Sequence, residues 1–253
     1  MADSRYNTLL IIEGESCEKA YFDKFIKTIK ADKNITIIPF CNDIYELYKH
    51  IKELGETTTI DVILNYCNLD DETRKLLKNT KFVYTYLVFD LDIQDGKESD
   101  RQEKLSQISK MLDLFNNETE YGKLFINYPM MESYRHFDIT NPSTLNNKCV
   151  IVDNEVLTNY KKLVGQEGTN KNLSKYTSRD FYNITLAHLM QANLLVNGQF
   201  KKPNNIDYVD LIDISIINKK QEDLILKSKK MLILNTSTFL YSEFYDTILK
   251  AKN

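Results

Sequence analysis

The sequence predicts an α/β protein, with a largely parallel sheet carrying helices on both faces and a mainly helical C-terminal extension. Three observations predict it. Short apolar runs rich in β-branched and aromatic residues recur at 7–12, 34–40, 81–89 and 122–128. The segments between them repeat apolar residues at helical spacing. After Pro129 the strand-like runs thin out and helical spacing and polar loops take over. Strands that alternate with helices imply parallel pairing through helical crossovers.

The elements follow in order. Residues 7–12 read as a first strand, and 15–30 as a helix with Ala20, Tyr21, Phe25, Ile26 and Ile29 on one face. Asn34 to Phe40 is a second strand, ended near Pro39 because proline cannot donate to the ladder. Asp43 suits the N-cap of a helix carrying Ile44, Leu47, Tyr48 and Ile51, and Gly55 stops it. Residues 58–80 are helical, with Asp70-Asp71-Glu72 opening a second short helix. Lys81 to Phe89 is the most apolar strand, Asp100 to Phe115 a helix ended by Asn116-Asn117, and Gly122 to Tyr128 a fourth strand. Beyond it, 130–137 is a short helix, Asn141 to Lys148 a polar turn, and 155–163 and 178–196 are helices. Gly165 to Thr177 and Gly198 to Asn205 are polar loops, and 207–217 fits strand or helix. Met231 to Leu234 reads as a strand and the tail to Lys250 as a helix. The domain division this suggests is a catalytic domain over 1–135 and a helical extension over 136–253.

Composition removes several function classes. With 253 residues and 42% hydrophobic content the chain can bury a sizeable core. A net charge of −3 argues against a nucleic-acid coating protein, which would be basic overall, and leaves room for a local basic groove. Cys17, Cys41, Cys67 and Cys149 form no C-x-x-C pair, so zinc-ribbon and thioredoxin-type readings fail. Their scatter predicts reduced, mostly buried thiols in a cytosol. No signal peptide is read, and no apolar run approaches the ~18 residues of a membrane span, so a soluble cytoplasmic protein is expected. With only seven glycines there is no phosphate-cradling P-loop, and no G-x-S-x-G elbow surrounds Ser16.

The chemistry-bearing residues stand at strand ends. The first strand stops on Glu13-Gly14-Glu15-Ser16, the third on Asp90-Leu91-Asp92. Ligands of open α/β sheets bind beyond the carboxyl ends of strands. Clustered carboxylates repel one another, and a hard divalent cation with oxygen ligands relieves that repulsion. In an extended strand the alternate residues Asp90 and Asp92 face one side. Each motif also has a plainer explanation. Glu13 and Glu15 suit the positive end of the following helix, and D-x-D can be a strand end running into an acidic loop.

The pair of motifs, IIEGES at 11–16 and LVFDLD at 87–92, resembles the Toprim domain of topoisomerases, bacterial primases and OLD-family nucleases, over about residues 7–130. The resemblance implies magnesium, or manganese in its place, at Glu13, Asp90 and Asp92, with these same acids in catalytic roles. A narrower resemblance is to the RloB-like and OLD-type Toprim proteins of bacterial antiphage defence. Glu13-Gly14-Glu15-Ser16-Cys17-Glu18 is close to their first motif. Asn127-Tyr128-Pro129-Met130-Met131-Glu132, followed by Tyr134 and His136-Phe137, is similar to a later N-P-x-x-E segment. The match departs by the inserted Tyr128, and it adds Glu132 to the catalytic candidates. With no DNA-passing module and no zinc module, the resemblance implies a metal-dependent nuclease cleaving RNA or DNA, working beside a separate ATPase that senses infection.

The remaining candidates are weaker. His136, next to Arg135, is a candidate for phosphate contact, while His50 and His188 lie in helical patterns and read as structural. Lys171, Lys175, Arg179, Lys201 and Lys202, interleaved with Tyr176 and Phe200, suit a nucleic-acid surface, though an ordinary solvated surface looks the same. Lys219, Lys220, Lys227, Lys229 and Lys230 form a second basic stretch of equal ambiguity. The competing functions are a Toprim-like sensor or partner-binding protein without catalysis and a haloacid-dehalogenase-like phosphatase. The phosphatase needs its nucleophilic aspartate on an N-terminal strand, and a glycosyltransferase D-x-D leaves Glu13-Gly14 unexplained.

Overall fold

The computed structural model describes residues 7–30, 34–55, 57–94, 98–203 and 213–244. Two compact units interleave along the chain: Met1–Phe89 with Met111–Phe125, and Asp90–Lys110 with Ile126–Asn253. The units are not the consecutive segments 1–135 and 136–253, because the chain changes unit three times, between residues 89 and 90, 110 and 111, and 125 and 126.

In the first unit, β1 (Asn7–Ile12) lies between β2 (Ile35–Pro39) and β3 (Phe82–Asp90), parallel to both. Leu10 stands opposite Ile37 on one side and Tyr86 on the other. Leu9 to Ile12 are fully buried without alternation, as expected of a strand covered on both faces. The sheet order is β2-β1-β3-β5-β4, with β5 spanning Gly122–Tyr128 and the short β4 (Asn116–Asn117) antiparallel to it. The Asn116-Asn117 pair therefore makes a small strand as well as ending a helix. The predicted class holds: a mostly parallel, mixed sheet flanked by helices, with further helices toward the C-terminus.

Helix α1 (Cys17–Ile29) buries Tyr21, Phe22, Phe25 and Ile29 along one face. Helix α2 (Ile44–Leu54) starts where Asp43 accepts the Glu46 amide at 2.9 Å, and ends at Gly55. A reciprocal capping box between Thr58 and Asp61 opens α3 (Thr59–Tyr66), and Asp70 caps α4 (Asp71–Asn79) through the Thr73 amide. The α5 helix covers Arg101–Leu114. Gly122 opens β5 at φ +114°, with space for a Cβ only 3.1–3.3 Å from Thr85 and Leu87. Gly122→Ala should therefore cost about 2 kcal/mol in urea unfolding, and a cost near zero would mean that β5 can shift freely there.

The second unit is built around α8 (Ser178–Asn197). A Thr177–Asp180 capping box starts the helix, and Gly198 at φ +73° ends it. Its buried polar residues each fasten a loop. Asn183 donates to the Ile139 carbonyl, Thr185 to that of Thr238, Gln191 to that of Lys148 and Asn193 to that of Lys201. His188 Nδ1 accepts the Asn235 amide. Around it run β6 (Cys149–Ile151), α6 (Asn154–Thr158) and α7 (Tyr160–Glu167), then α9 (Ile214–Ser228), β7 (Lys230–Leu232), β8 (Leu234–Asn235) and α10 (Leu240–Phe244). Strands β6 and β7 pair antiparallel, as do β8 and the end of β5.

Several local expectations change. The helix expected at 155–163 is two helices meeting at Asn159, and the second runs through Gly165, because Tyr160 and Val164 bury one turn apart. The ambiguous 207–217 stretch lies outside the described residues to 212, and Ile214 then starts α9 behind an Asp213 cap. Residues 204 and 205 of the second polar loop and the tail beyond 244 also lie outside them. Cysteines 17, 41 and 149 are exposed rather than buried, since they occupy turns and element starts, and all four are free thiols. Among the described residues no helix is long and apolar enough to cross a membrane.

Candidate functional site

In the first unit Glu13 directly follows β1. Its amide donates to the Val88 carbonyl at 3.1 Å, and its own carbonyl accepts the Cys41 amide at 2.9 Å, so the backbone is still held as sheet. The N-cap position of α1 is Ser16 and the acid of its first turn is Glu18, not Glu13 or Glu15. Gly14 is not in the left-handed region. Its lack of a Cβ leaves room for the Glu18 carboxylate.

The second unit holds Asp90, Asp92 and Glu132. Asp90 is the last residue of β3 and is buried, with Asn127 Nδ2 3.3 Å from its Oδ1. Asn127 itself accepts the Ser237 amide on its Oδ1 at 3.4 Å. The alternation expected of Asp90 and Asp92 does not extend to Asp92. The strand has ended, and Asp92 sits at φ +43°, a conformation aspartate tolerates better than most residues. Gln94 donates to its Oδ1 at 2.7 Å and Lys104 to its carbonyl at 3.0 Å. Glu132 lies in a single-turn helix, Met131–Arg135, after β5. Its Oε1 is 3.3 Å from the Lys161 ammonium, and its Oε2 is buried with no hydrogen-bond partner.

A chain of side chains that no motif announces stands beside these acids. The Tyr160 hydroxyl is 2.9 Å from His136 Nδ1, His136 Nε2 is 3.2 Å from Glu167 Oε2, and Lys148 Nζ is 3.3 Å from that same oxygen. Burial, then the Lys148 charge, push the His136 imidazole down to about 4 against the upward pull of Glu167. The ring is neutral at pH 7, so its contact with Glu167 is a hydrogen bond and the ion pair is Lys148–Glu167. Burial draws the Glu167 carboxyl upward, but its bonds from Lys148 and His136 hold it below the ordinary range. A carboxylate only accepts, so Nε2 carries the proton and Nδ1 accepts from the tyrosine. Burial, and then the Glu132 and Asp90 charges, raise the Tyr160 phenol well above its ordinary range. Both charges act on the phenol through space. Gly168 supports the arrangement: a Cβ there would run into the Arg135 carbonyl and the His136 backbone.

His136 is consequently no phosphate contact, since it is 1% exposed and both ring nitrogens are engaged. The predicted basic surface does not form one patch. Lys171 is tied to Asp180 at 2.7 Å and Arg179 lies over the Tyr182 ring, both with Lys175 at the start of α8. Lys201 and Lys202 follow its C-terminal end. A helix of 20 residues is about 30 Å long, so the two groups stand at opposite ends of it. Lysines 219, 220 and 227 lie on α9, where Lys227 pairs with Asp223.

A divalent cation takes oxygen donors, and magnesium commonly uses only one or two carboxylates, with water and substrate phosphate completing its shell. Asp90 and Glu132, buried after the neighbouring strands β3 and β5, are the two carboxylates such an ion could take, and one Glu132 oxygen is unpaired. Among the described residues no group of three or more His, Cys, Asp or Glu side chains could hold a metal, so a three-acid cage is not formed. Tyr160, Glu167 and Lys148 are additions that sequence reasoning missed, because their separations along the chain match no motif, and Asn127, quoted only as part of the segment before Glu132, gains its bond to Asp90. No protein family, curated protein or solved structure matches the chain.

Proposed function

We propose that this chain is a divalent-cation-dependent nuclease hydrolysing phosphodiester bonds in RNA or DNA, as an effector of antiphage defence. The observation that carries the reading is a pair of nearly buried carboxylates after neighbouring strands, Asp90 at the end of β3 and Glu132 just beyond β5, with one Glu132 oxygen unpaired. Asp90 and Glu132 would hold magnesium or manganese. Asp92 and Glu13 stay candidates on the resemblance of LVFDLD and IIEGES alone, as do the defence role and a separate ATPase. When bound, the ion supplies neutralisation of phosphate charge and activation of water. The chain's own residues prepare for this. Asn127 orients Asp90, and the exposed Lys161 ammonium sets a positive charge beside Glu132 that a phosphate can meet.

The test is incubation of total RNA and of plasmid DNA with the protein in magnesium or manganese. Cleavage should fall at least about a hundredfold in Asp90→Asn and in Glu132→Gln, with circular dichroism unchanged. Full cleavage by both variants would sink the reading. Salt-dependent binding without any cleavage by the intact chain would favour a non-catalytic binding protein.

A further inference from the structure

Two cysteines of the first unit, far apart in sequence, come to one place in the fold. Cys41 follows the end of β2, and its amide donates to the Glu13 carbonyl at 2.9 Å. Cys67 is the residue on which α3 ends, with its amide donating to the Ile63 carbonyl. The Cys67 thiol donates to the Phe40 carbonyl oxygen, with Sγ 3.5 Å away. That oxygen belongs to the peptide bond joining Phe40 to Cys41, and covalent geometry sets it about 2.8 Å from the Cys41 Cα. The Cys67 sulfur is therefore no more than about 6.5 Å from that Cα. A cysteine side chain and an S–S bond together reach about 4.5 Å, so a turn of the Cys41 side chain covers most of even the largest separation allowed. Cys41 is exposed and Cys67 partly so. Burial, and then the Cys41 thiol, push Cys67 up to about 11, in keeping with that closeness.

We propose that Cys41 and Cys67 are a redox modification site, oxidised by a peroxide to a disulfide that clamps the α2–α3 segment to the end of β2. The exposed Cys41 is oxidised first. Its sulfur attacks one peroxide oxygen, the O–O bond breaks, and the products are a sulfenic acid and water. The Cys67 sulfur then attacks the Cys41 sulfur, the S–O bond breaks, and the hydroxide leaves with the Cys67 proton as a second water. The two thiols lose two electrons and two protons, and one hydrogen peroxide becomes two waters. Burial, and then the Glu15 charge, raise the Cys41 thiol, so both sulfurs rest protonated at pH 7. The thiolate is the nucleophile, so the bridge forms slowly and answers sustained exposure rather than a brief pulse. It closes around α2 and α3, Ile44–Leu54 and Thr59–Tyr66. Its anchor on the β2 side is the residue whose amide holds the Glu13 carbonyl, so the oxidation state reaches the end of β1.

The experiment uses the full chain carrying Cys17→Ser and Cys149→Ser, which removes the two other exposed thiols. The protein is held in hydrogen peroxide at about pH 8, where more thiolate is present, then alkylated and digested with trypsin. Mass spectrometry should find the peptides Asn34–Lys49 and Glu53–Arg74 joined, two hydrogens lighter than their sum, and dithiothreitol should separate them. Oxidation should also raise the urea midpoint reversibly, because a cross-link restricts the unfolded chain. Cys67→Ser in the same background should show neither change. If that variant does not fold, the joined peptide and its reversal decide alone. Cys41 recovered as a sulfinic or sulfonic acid with Cys67 still free, or joined only to a second chain, overturns the site. A joined peptide with an unchanged urea midpoint overturns the clamp.

Discussion

Acidification from pH 7 to pH 4.5 should destabilise the folded chain steeply, through two buried imidazoles. Burial, then Lys148, lowers His136 to about 4, and burial lowers His188 to about 3. A free histidine titrates near 6.5, so the unfolded chain binds more protons than the folded one between those values. The stabilisation is fully present above about pH 6.5. It is lost as pH falls, down to about 4 for His136 and about 3 for His188. Each imidazole adds a slope of up to about 1.4 kcal/mol per pH unit. Asp61, Asp70, Glu167 and Asp180, all held below the ordinary carboxyl range, act in the same direction only at lower pH. Urea unfolding followed by circular dichroism between pH 7 and 5 isolates the histidines. His188→Gln can keep an acceptor for the Asn235 amide, which His188 Nδ1 now provides, and should remove about half the slope. A flat profile in the parent chain would show that neither ring is held neutral.

Asn235→Ala should cost about 3 kcal/mol or more, because Asn235 ties together a buried polar turn. The residue is fully buried. Its Nδ2 donates to the Met131 carbonyl at 2.8 Å and its Oδ1 accepts from Ser237 Oγ at 2.6 Å. Alanine leaves the Met131 carbonyl unpaired and Ser237 Oγ with only the weak Met131 sulfur contact at 3.9 Å, at about 1–3 kcal/mol for each orphaned group. The damage should reach the acids as well, since the Ser237 amide bonds to Asn127 and Asn127 to Asp90. Asn159→Ala is the contrast: its side chain donates to the Glu155 carbonyl in an exposed setting, and its loss should cost under about 1 kcal/mol. Equal denaturation midpoints for the two variants would refute the ranking.

Much of the architecture was legible because it is local. Leu9 to Ile12, Tyr86 to Phe89 and Leu124 to Ile126 are continuous apolar runs, and a covered parallel strand produces that signature. Asp43, Asp70 and Gly55 mark helix ends through bonds or φ angles within a few residues. The candidate site was legible only in part. Asp90 could be read as a strand-end acid, but Asp92 could not be placed, since alternation holds only while the strand continues, and the strand ends at Asp90 with Asp92 itself at φ +43°.

The remaining features depend on groups distant in sequence. Tyr160 meets His136 across 24 positions and His136 meets Glu167 across 31, and no periodicity links such residues. The five basic residues read as one surface are separated by the length of α8, a distance that closeness in sequence conceals. By itself, then, the sequence determined the strands, the helix caps and the acids at a strand end, all set by backbone preference and apolar patterning over neighbouring residues. Only the tertiary structure decided which side chains His136 joins, which imidazoles stay neutral and which cations stand apart, because burial and through-space charge arise when distant segments pack.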